Sequence, residues 1–354
     1  MKFPYLTFLM LFIAIVSYAQ DKANIESIFK NYHGEQPGAS VAIIKDGELI
    51  FQEGFGLANL EDGRKVDAQT NFRLASVSKQ FTATAILQLA AQDKINMNWS
   101  LNEVFEDFPD YGKNIKVHHL LNHTSGLWDY EEFVPDTAMI HQVMDEEVLD
   151  LTKQQDKVYF APGEEYRYSN TAYALLAVMI EKYSGKTFPE YLEENIFQPL
   201  GMKNTVAHVK GENHVNNRAY GYDKKDGEWY RRDQSSTSAV LGDGGIYSNF
   251  QDLLIWDKNL YEGKVLSKEL IEQTFTRGKL NDGKEIPYGI AWHIKEWENE
   301  KVVYHTGSTT SFRNIFYRIP SKNLSIIILT NRNSPHEFDM VDLAEEVLKT
   351  VWED

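Results

Sequence analysis

The segments most typical of β-strands lie at the two ends of the chain, and the segments most typical of helices lie between them. Residues 39–45 and 48–57 are predicted as two strands joined by Asp46-Gly47, a dipeptide that favours a two-residue hairpin turn. Because strands must pair, the pattern predicts an α+β fold with one antiparallel sheet formed from both chain ends. Four further segments near the carboxyl end are rich in β-branched and aromatic residues: 288–297, 301–306, 314–319 and 324–330.

Helical patterns account for most of the remaining chain. Residues 76–92 are apolar on most sides, which predicts a buried helix. Residues 23–32 and 338–352 each carry one apolar face, so they are expected to be helices that flank the sheet. We expect the sheet to come from about 39–75 and 285–332, the mainly helical insertion from about 76–280, and both to form one domain over 20–354.

The charge balance and the amino-acid usage exclude several classes of function. The chain has 36 Lys and Arg, 52 Asp and Glu, a net charge of −16 and no cysteine. Nucleic-acid binding relies on clustered basic residues, so a nucleic-acid partner is not expected. Without cysteine there is no disulfide, no thiolate nucleophile and no Cys-ligated zinc. Covalent catalysis would therefore have to use Ser, Thr, Lys, Asp, Glu, His or Tyr.

The first residues have the pattern of a secretory signal peptide. Lys2 supplies a positive start, an apolar run extends from Tyr5 to Val16, and small residues flank the end at Ser17 and Ala19. We expect cleavage after Ala19, which makes residues 1–19 the signal peptide; a buried N-terminal helix is the alternative. The mature protein is then expected to be secreted or periplasmic, with no stable membrane anchor once the signal is removed.

Two Ser-x-x-Lys segments raise the question of which serine has a built-in base. This spacing places a hydroxyl and an amine on one helical face, where a neutral Lys can accept the Ser proton. Ser27 and Lys30 lie on a short amphipathic segment with its polar face toward water. Ser76 and Lys79 open the apolar helix, where burial and the helix dipole favour a neutral Lys. These effects favour Ser76 over Ser27 as the nucleophile, although Ser76 as a simple helix cap remains an alternative.

No motif indicates a cofactor or a metal. His119 and His123 have the i, i+4 spacing of zinc ligands, but the HExxH pattern is missing because Leu120 stands where the Glu should be. We therefore expect His118, His119 and His123 to be hydrogen-bonded side chains at a helix end. The glycine-rich stretch 242–245 lacks the GxGxxG spacing and is interpreted as a turn.

Two further triplets matter in combination with Ser76 and Lys79. Tyr168-Ser169-Asn170 and then His305-Thr306-Gly307 follow them along the chain. The order Ser-x-x-Lys, Tyr-x-Asn, (Lys/His)-Thr-Gly resembles the serine β-lactamase and penicillin-recognising hydrolase family, especially class C β-lactamases, DD-carboxypeptidases and related esterases. The resemblance spans nearly all of the mature chain and implies the β-lactamase/transpeptidase-like fold. A second Tyr-Ser-Asn, at residues 247–249, lies in a stretch that looks structural in the family.

The resemblance implies a role for each matching residue. Ser76 would attack a carbonyl carbon, and Lys79 and Tyr168 would share the proton transfers; which of them is the base stays open, since the pair titrates jointly. Asn170 would hold Lys79 and the substrate amide. The residues of the substrate-binding strand would be His305, Thr306, Gly307 and Ser308, with the N–H groups of Ser76 and Ser308 as the oxyanion hole.

One departure from the family pattern bears on the substrate. Class C β-lactamases usually carry Lys-Thr-Gly, whereas position 305 is His, which is only partly charged at neutral pH. If His305 meets substrate as a cation, its binding of carboxylates should weaken as pH rises through about 6.5. Arg313 is a second candidate cation for a substrate carboxylate, with a solvated strand end as the alternative. Trp128 and Asp129 are candidates for lining the cleft, with core packing as the alternative for Trp128.

The sequence therefore predicts an exported serine hydrolase that acts on amide or ester carbonyls through an acyl-enzyme. A DD-carboxypeptidase or esterase fits the departures best. A β-lactamase, or a catalytically idle binding protein with this fold, remains an alternative. The expected partner is a small molecule or peptide with a reactive carbonyl, such as a peptidoglycan peptide, and no cofactor or metal is expected.

Overall fold

The computed structural model describes residues 22–134, 141–333 and 339–352. The strands are β1 (Ala39–Lys45), β2 (Glu48–Phe55), β3 (Leu57–Asn59), β4 (Arg64–Lys65), β5 (Phe72–Arg73), β6 (Val206–Ala207), β7 (Tyr222–Lys225), β8 (Glu228–Arg231), β9 (Ile246–Ser248), β10 (His293–Trp297), β11 (Glu300–Thr309), β12 (Phe312–Ile319) and β13 (Leu324–Thr330). The helices are α1 (22–28), α2 (Lys79–Ala91), α3 (Leu101–Val104), α4 (Val117–Leu121), α5 (Asp145–Lys153), α6 (Asn170–Ser184), α7 (Phe188–Leu192), α8 (Gln198–Leu200), α9 (Phe250–Glu262), α10 (Lys268–Thr274) and α11 (Met340–Val351). Every described helix is too short or too polar to cross a membrane.

The main sheet has six strands in the order β10-β11-β12-β13-β1-β2. Its strands are antiparallel, and the two chain ends meet where β13 pairs with β1, with Ala39 opposite Thr330 and Lys45 opposite Leu324. Asp46 and Gly47 both have positive φ, as the type I′ turn between β1 and β2 requires. The predicted α+β fold with a sheet from both chain ends is confirmed.

The main sheet is covered on both faces, which explains why β1 is almost continuously apolar. Ala39, Val41 and Ile43 pack with the two terminal helices, α1 and α11. Ala42 and Ile44 point to the opposite face and join the large core made with the helical region. At the centre of that region, α2 and α6 are buried over most of their length.

The boundaries differ from the sequence-based expectation in three places. The main sheet takes residues 39–55 from the amino-terminal part, because β3 pairs with β4 and β5 pairs with β9 instead. The segment expected as a strand from 288 becomes regular only at His293, after Ala291 with φ 59°. The region between 76 and 280 is not only helical, since β7 and β8 form a separate hairpin within it.

Candidate active site

Ser76 lies on a short turn that the surrounding backbone holds in place. A 3-10 turn (Ala75–Ser78) precedes α2, so Ser76 stands just before the regular helix rather than inside it. Ala75 has φ 51°, an uncommon conformation for a non-glycine residue. Strand β11 approaches this turn so closely that a Cβ at Gly307 would lie 2.1 Å from the Leu74 carbonyl oxygen. Gly307 is therefore needed for β11 to reach the Ser76 turn.

Lys79 is the residue that gives Ser76 a basic neighbour. Its side chain is completely buried, and Nζ lies 3.2 Å from Ser76 Oγ, 2.8 Å from Asn170 Oδ1 and 2.8 Å from the Asp243 carbonyl oxygen. The last two atoms can only accept hydrogen bonds. A neutral amine that donates its two hydrogens to them has its lone pair left for the Ser76 hydroxyl. The geometry therefore suits removal of the Ser76 proton by Lys79.

The electrostatic environment of Lys79 balances two opposing effects. Burial lowers its pKa to about 8, while the negative charges of Asp243, Asp129 and Glu131 raise it against that trend. A pKa near 8 leaves an appreciable fraction of neutral amine at neutral pH. An amine close to its working pH is well matched to act as a general base.

Tyr168 lies beside Lys79 but has a different protonation state. Lys79 Nζ is 4.9 Å from the centre of the Tyr168 ring. Burial raises the pKa of the phenol well above 10, although the Ser76 side chain lowers it in part. The hydroxyl is shielded from solvent and forms no regular hydrogen bond with any described residue. The resting phenol is therefore neutral, which favours Lys79 as the initial base and Tyr168 as a proton donor.

Two carboxylates near Lys79, those of Glu131 and Asp243, were not identified from the sequence. Glu131 and Asp243 line the same small cavity as Ser76, Asn170 and Ser308. Asp243 is buried, and its carboxylate accepts the Tyr130 hydroxyl at 2.8 Å; burial raises its pKa to about 6. Glu131 is more exposed, but burial of its carboxyl and the charges of Asp243 and Asp129 raise its pKa to about 7.

Asp129, which the sequence suggested as a cleft-lining residue, lies outside the lining of this cavity and instead connects its loop to the start of α6. Its Oδ2 accepts the backbone N–H of Asn170 at 2.8 Å. Burial raises the pKa of Asp129. In the sequence, these carboxylates are visible only as an acidic run at 129–132 and as an aspartate within the glycine-rich turn. Neither signal indicates that segments more than a hundred residues apart meet at Ser76.

The structure contradicts the expectation that His305 is a cation that meets substrate. Only 1% of the residue is exposed. One ring nitrogen, Nδ1, lies 2.7 Å from the Thr306 carbonyl oxygen, so it must carry the hydrogen, and Nε2 then accepts the Tyr288 hydroxyl at 2.9 Å. Burial, His293 and Lys79 hold the pKa of His305 well below 6.5. His305 is thus a neutral, internally bonded side chain.

The other candidate substrate-binding residues differ in whether they line the cavity. Ser308 is exposed and lines the cavity with Ser76, whereas Thr306 is half-buried two residues earlier on β11. Arg313 does not line that cavity: its Nη1 donates to the carbonyls of Thr309 and Phe312 and stabilises the β11–β12 turn. Trp128 also lies outside the cavity lining and stacks on Tyr159 at 4.5 Å.

The remaining sequence candidates lie in structural positions. His118, His119 and His123 each bond to a different backbone atom, and no described residues form a cluster able to hold a metal ion. Tyr247 is buried on β9, and its hydroxyl accepts from Arg218 at 2.8 Å. Ser27 is exposed on α1. The expected signal peptide, residues 1–19, lies outside the described residues.

The chain is similar in sequence to known proteins. The family model described as Beta-lactamase matches residues 25–349. Penicillin-binding protein 4* of Bacillus subtilis is 29% identical over 345 residues, which cover 92% of this chain and 76% of that protein. D-aminopeptidase of Brucella anthropi is 26% identical over 315 residues, which cover 87% of this chain and 58% of that protein. The chain thus spans somewhat over half the length of that aminopeptidase.

Solved structures show the same fold. An octameric penicillin-binding protein homologue from Pyrococcus abyssi superposes with a TM-score of 0.79 at 27% identity and covers 94% of this chain and 76% of its own. D-amino acid amidase from Ochrobactrum anthropi SV3, complexed with D-phenylalanine, has a TM-score of 0.77 at 22% identity over 94% of this chain and 99% of its own. At that identity the second likeness concerns the fold alone.

Proposed function

Because the chain belongs to the Beta-lactamase family and is a serine hydrolase, we propose that its mature form is an exported enzyme that cleaves amide or ester bonds through an acyl-enzyme on Ser76. The observation that carries this proposal is the buried Lys79 amine 3.2 Å from Ser76 Oγ. Its other two partners are fixed acceptors, so the neutral amine is oriented to take the serine proton.

The reaction follows from these protonation states. Neutral Lys79 takes the Ser76 proton while Oγ forms a bond to the carbonyl carbon, and the carbonyl oxygen becomes an oxyanion beside the N–H groups of Ser76 and Ser308. When the tetrahedral intermediate collapses, the bond to the leaving group breaks. The neutral Tyr168 phenol gives its proton to that group and regains one from Lys79. Water then attacks the acyl-enzyme, releasing the acid product and restoring Ser76.

The charges in front of Ser76 favour a substrate that carries an ammonium group near its scissile carbonyl. Glu131 and Asp243 are the two acidic residues that line the cavity. His305 offers no cation; Arg73 also lines the cavity, but it is buried and its Nη2 donates to the carbonyl of Ser238 at 2.8 Å. These carboxylates would attract a free amino terminus, whereas they would repel the carboxylate of a β-lactam or of a carboxypeptidase substrate. The relative named D-aminopeptidase supports this choice.

A small substrate panel tests the preference. D-alaninamide should be hydrolysed with at least about tenfold higher kcat/KM than N-acetyl-D-alaninamide, because only the first carries the ammonium group. Glu131→Gln should remove most of that ratio, and because both substrates are measured on the same variant, any change in the Lys79 pKa cancels in the ratio. The neighbouring Glu132→Gln serves as the matched control and should keep the ratio of the wild type. As pH falls below about 7, protonation of Glu131 should weaken the preference.

The opposite ranking would contradict the substrate assignment. Faster hydrolysis of N-acetylated D-alanyl-D-alanine peptides supports the DD-carboxypeptidase alternative, to which the Bacillus relative named as a penicillin-binding protein lends support. Rapid turnover of a chromogenic cephalosporin instead indicates a β-lactamase.

Export is tested separately from catalysis. The proposed signal peptide ends at Ala19, so protein recovered from the native envelope or medium should begin at Gln20. Intact-mass analysis decides this, and a retained residue 1–19 segment would contradict it.

A further inference from the structure

His123 holds the backbone on both sides of Tyr168. It follows α4 and has φ 60°, a left-handed conformation, and it is completely buried. Its carbonyl oxygen accepts the N–H of Arg167 at 3.0 Å, and its ring Nδ1 accepts the N–H of Ser169 at 3.1 Å. One residue therefore holds the peptide group that follows Tyr168 and the peptide group that precedes Arg167.

The state of the His123 ring is determined by these contacts. Since Nδ1 accepts a hydrogen bond, the hydrogen of the neutral ring must be on Nε2, which is buried and has no partner among the described residues. Burial, together with the charge of Lys79, holds the pKa of His123 well below 6.5. The ring lies 4.3 Å from the Tyr168 ring and 5.1 Å from the Tyr173 ring, measured between centres.

The position of Tyr168 depends on these backbone contacts because its hydroxyl interacts with the Ser76 side chain but forms no regular hydrogen bond with a described residue. The same segment continues into the site: Ser169 caps α6 by accepting the N–H of Ala172 at 3.2 Å, and Asn170 Oδ1 binds Lys79. A shift at Ser169 would therefore displace both the phenol and a Lys79 partner. Displacements of about 1 Å at a reacting group reduce rates by roughly a hundredfold.

We propose that His123 is a positioning residue for proton donation by Tyr168, acting through the bond from the Ser169 N–H to Nδ1. This inference rests on the proposed function, in which Tyr168 protonates the leaving group. It predicts a dependence on the leaving group that a purely structural residue would not show. An amide needs a proton delivered to its departing nitrogen, whereas p-nitrophenolate departs without one.

The experiment compares kcat/KM for D-alaninamide and for the p-nitrophenyl ester of D-alanine, which share one acyl group. Tyr168→Phe sets the reference and should lose about 10²–10⁴-fold on the amide, with a much smaller loss on the ester. His123→Leu, which removes the acceptor, should lose about 10- to 100-fold on the amide and less than about threefold on the ester. His123→Asn keeps an acceptor and tolerates the positive φ, so it should recover most of the amide activity.

His119 provides the matched control. It is a buried histidine of α4, the helix that precedes His123, and its Nδ1 likewise accepts a backbone N–H, that of Lys116 at 3.1 Å. His119→Leu should leave the amide-to-ester ratio unchanged. If His123→Leu does not fold, ¹⁵N spectra of the wild-type histidines carry the test: Nε2 of His123 must be protonated and Nδ1 unprotonated at neutral pH.

Several results would overturn the assignment. Equal losses of His123→Leu on both substrates, the same ratio change in His119→Leu, or a protonated Nδ1 would each contradict it. A selective loss in Tyr168→Phe without one in His123→Leu contradicts the His123 assignment and leaves the proposed function standing. No selective loss in Tyr168→Phe, or a wild-type enzyme inactive on both substrates, contradicts the proposed function and this inference with it.

Discussion

The chain carries the same Ser-x-x-Lys spacing twice, and the two copies have different surroundings. Ser27 lies on α1, which ends at residue 28, and Lys30 begins a separate 3-10 turn; both residues are exposed. Ser76 and Lys79 span the 3-10 turn that leads into α2, and Lys79 is completely buried. The comparison shows that the spacing alone does not place the amine in a buried site beside the serine hydroxyl. Burial and fixed acceptors around the amine distinguish the second copy.

The largest effect should come from removing each serine in turn. Ser76→Ala should lower kcat/KM on every substrate by about 10⁴-fold or more, since the nucleophile is lost. Ser27→Ala should match the wild type, because its neighbours are exposed. Steady-state kinetics on p-nitrophenyl acetate measure both, and equal losses in the two variants would contradict the distinction.

The second test concerns the amines of the two copies. Lys79→Arg keeps a positive charge but removes the base, because a guanidinium does not deprotonate, and should cost about 10²–10⁴-fold in kcat/KM. Lys30→Arg should have no effect. In the wild type, kcat/KM for an uncharged ester should rise with pH and level off above about 8, because neutral Lys79 is the active form.

A flat profile from pH 6 to pH 9 would show that Lys79 is not the base. The same profile measured on Lys30→Arg should overlay the wild type and controls for effects of pH on the ester.

The smallest effect concerns stability and compares a buried with an exposed histidine. The pKa of His305 is depressed in the folded protein, so its neutral form stabilises the fold above about pH 6.5, and that contribution is lost as pH falls. His305→Gln should make the free energy of unfolding less dependent on pH, by up to about 1.4 kcal/mol per pH unit below 6.5. Urea denaturation at pH 7 and pH 5 measures this.

The exposed His33 is the control for that measurement. His33→Gln should retain the pH dependence of the wild type. An unchanged slope in His305→Gln would mean that His305 is not held neutral by its surroundings.

The sequence predicted the elements with strong local signals and missed the contacts made by distant segments. The Asp46-Gly47 hairpin and the helix that follows Ser76 depend on neighbouring residues, so the local sequence was sufficient to predict them. The meeting of Glu131 and Asp243 at Ser76 depends on how separate loops pack, which no local pattern encodes.

His305 shows a second reason why the sequence could not predict every contact of the site. On a β-strand, adjacent side chains point to opposite faces, so a triplet cannot reveal which member faces substrate. The family resemblance suggested His305, whereas the hydrogen bonds to Tyr288 and to the Thr306 carbonyl turn its ring into the interior.

The central claim is that the buried amine of Lys79 makes Ser76, and not Ser27, the nucleophile. The most direct measurement is covalent labelling of the mature protein with a fluorophosphonate, followed by intact-mass analysis and peptide mapping. The account predicts one label per chain, located on Ser76, at a rate that increases as pH rises toward about 8. Ser76→Ala should abolish the label and Ser27→Ala should retain it. Labelling that persists in Ser76→Ala and disappears in Ser27→Ala would contradict the claim.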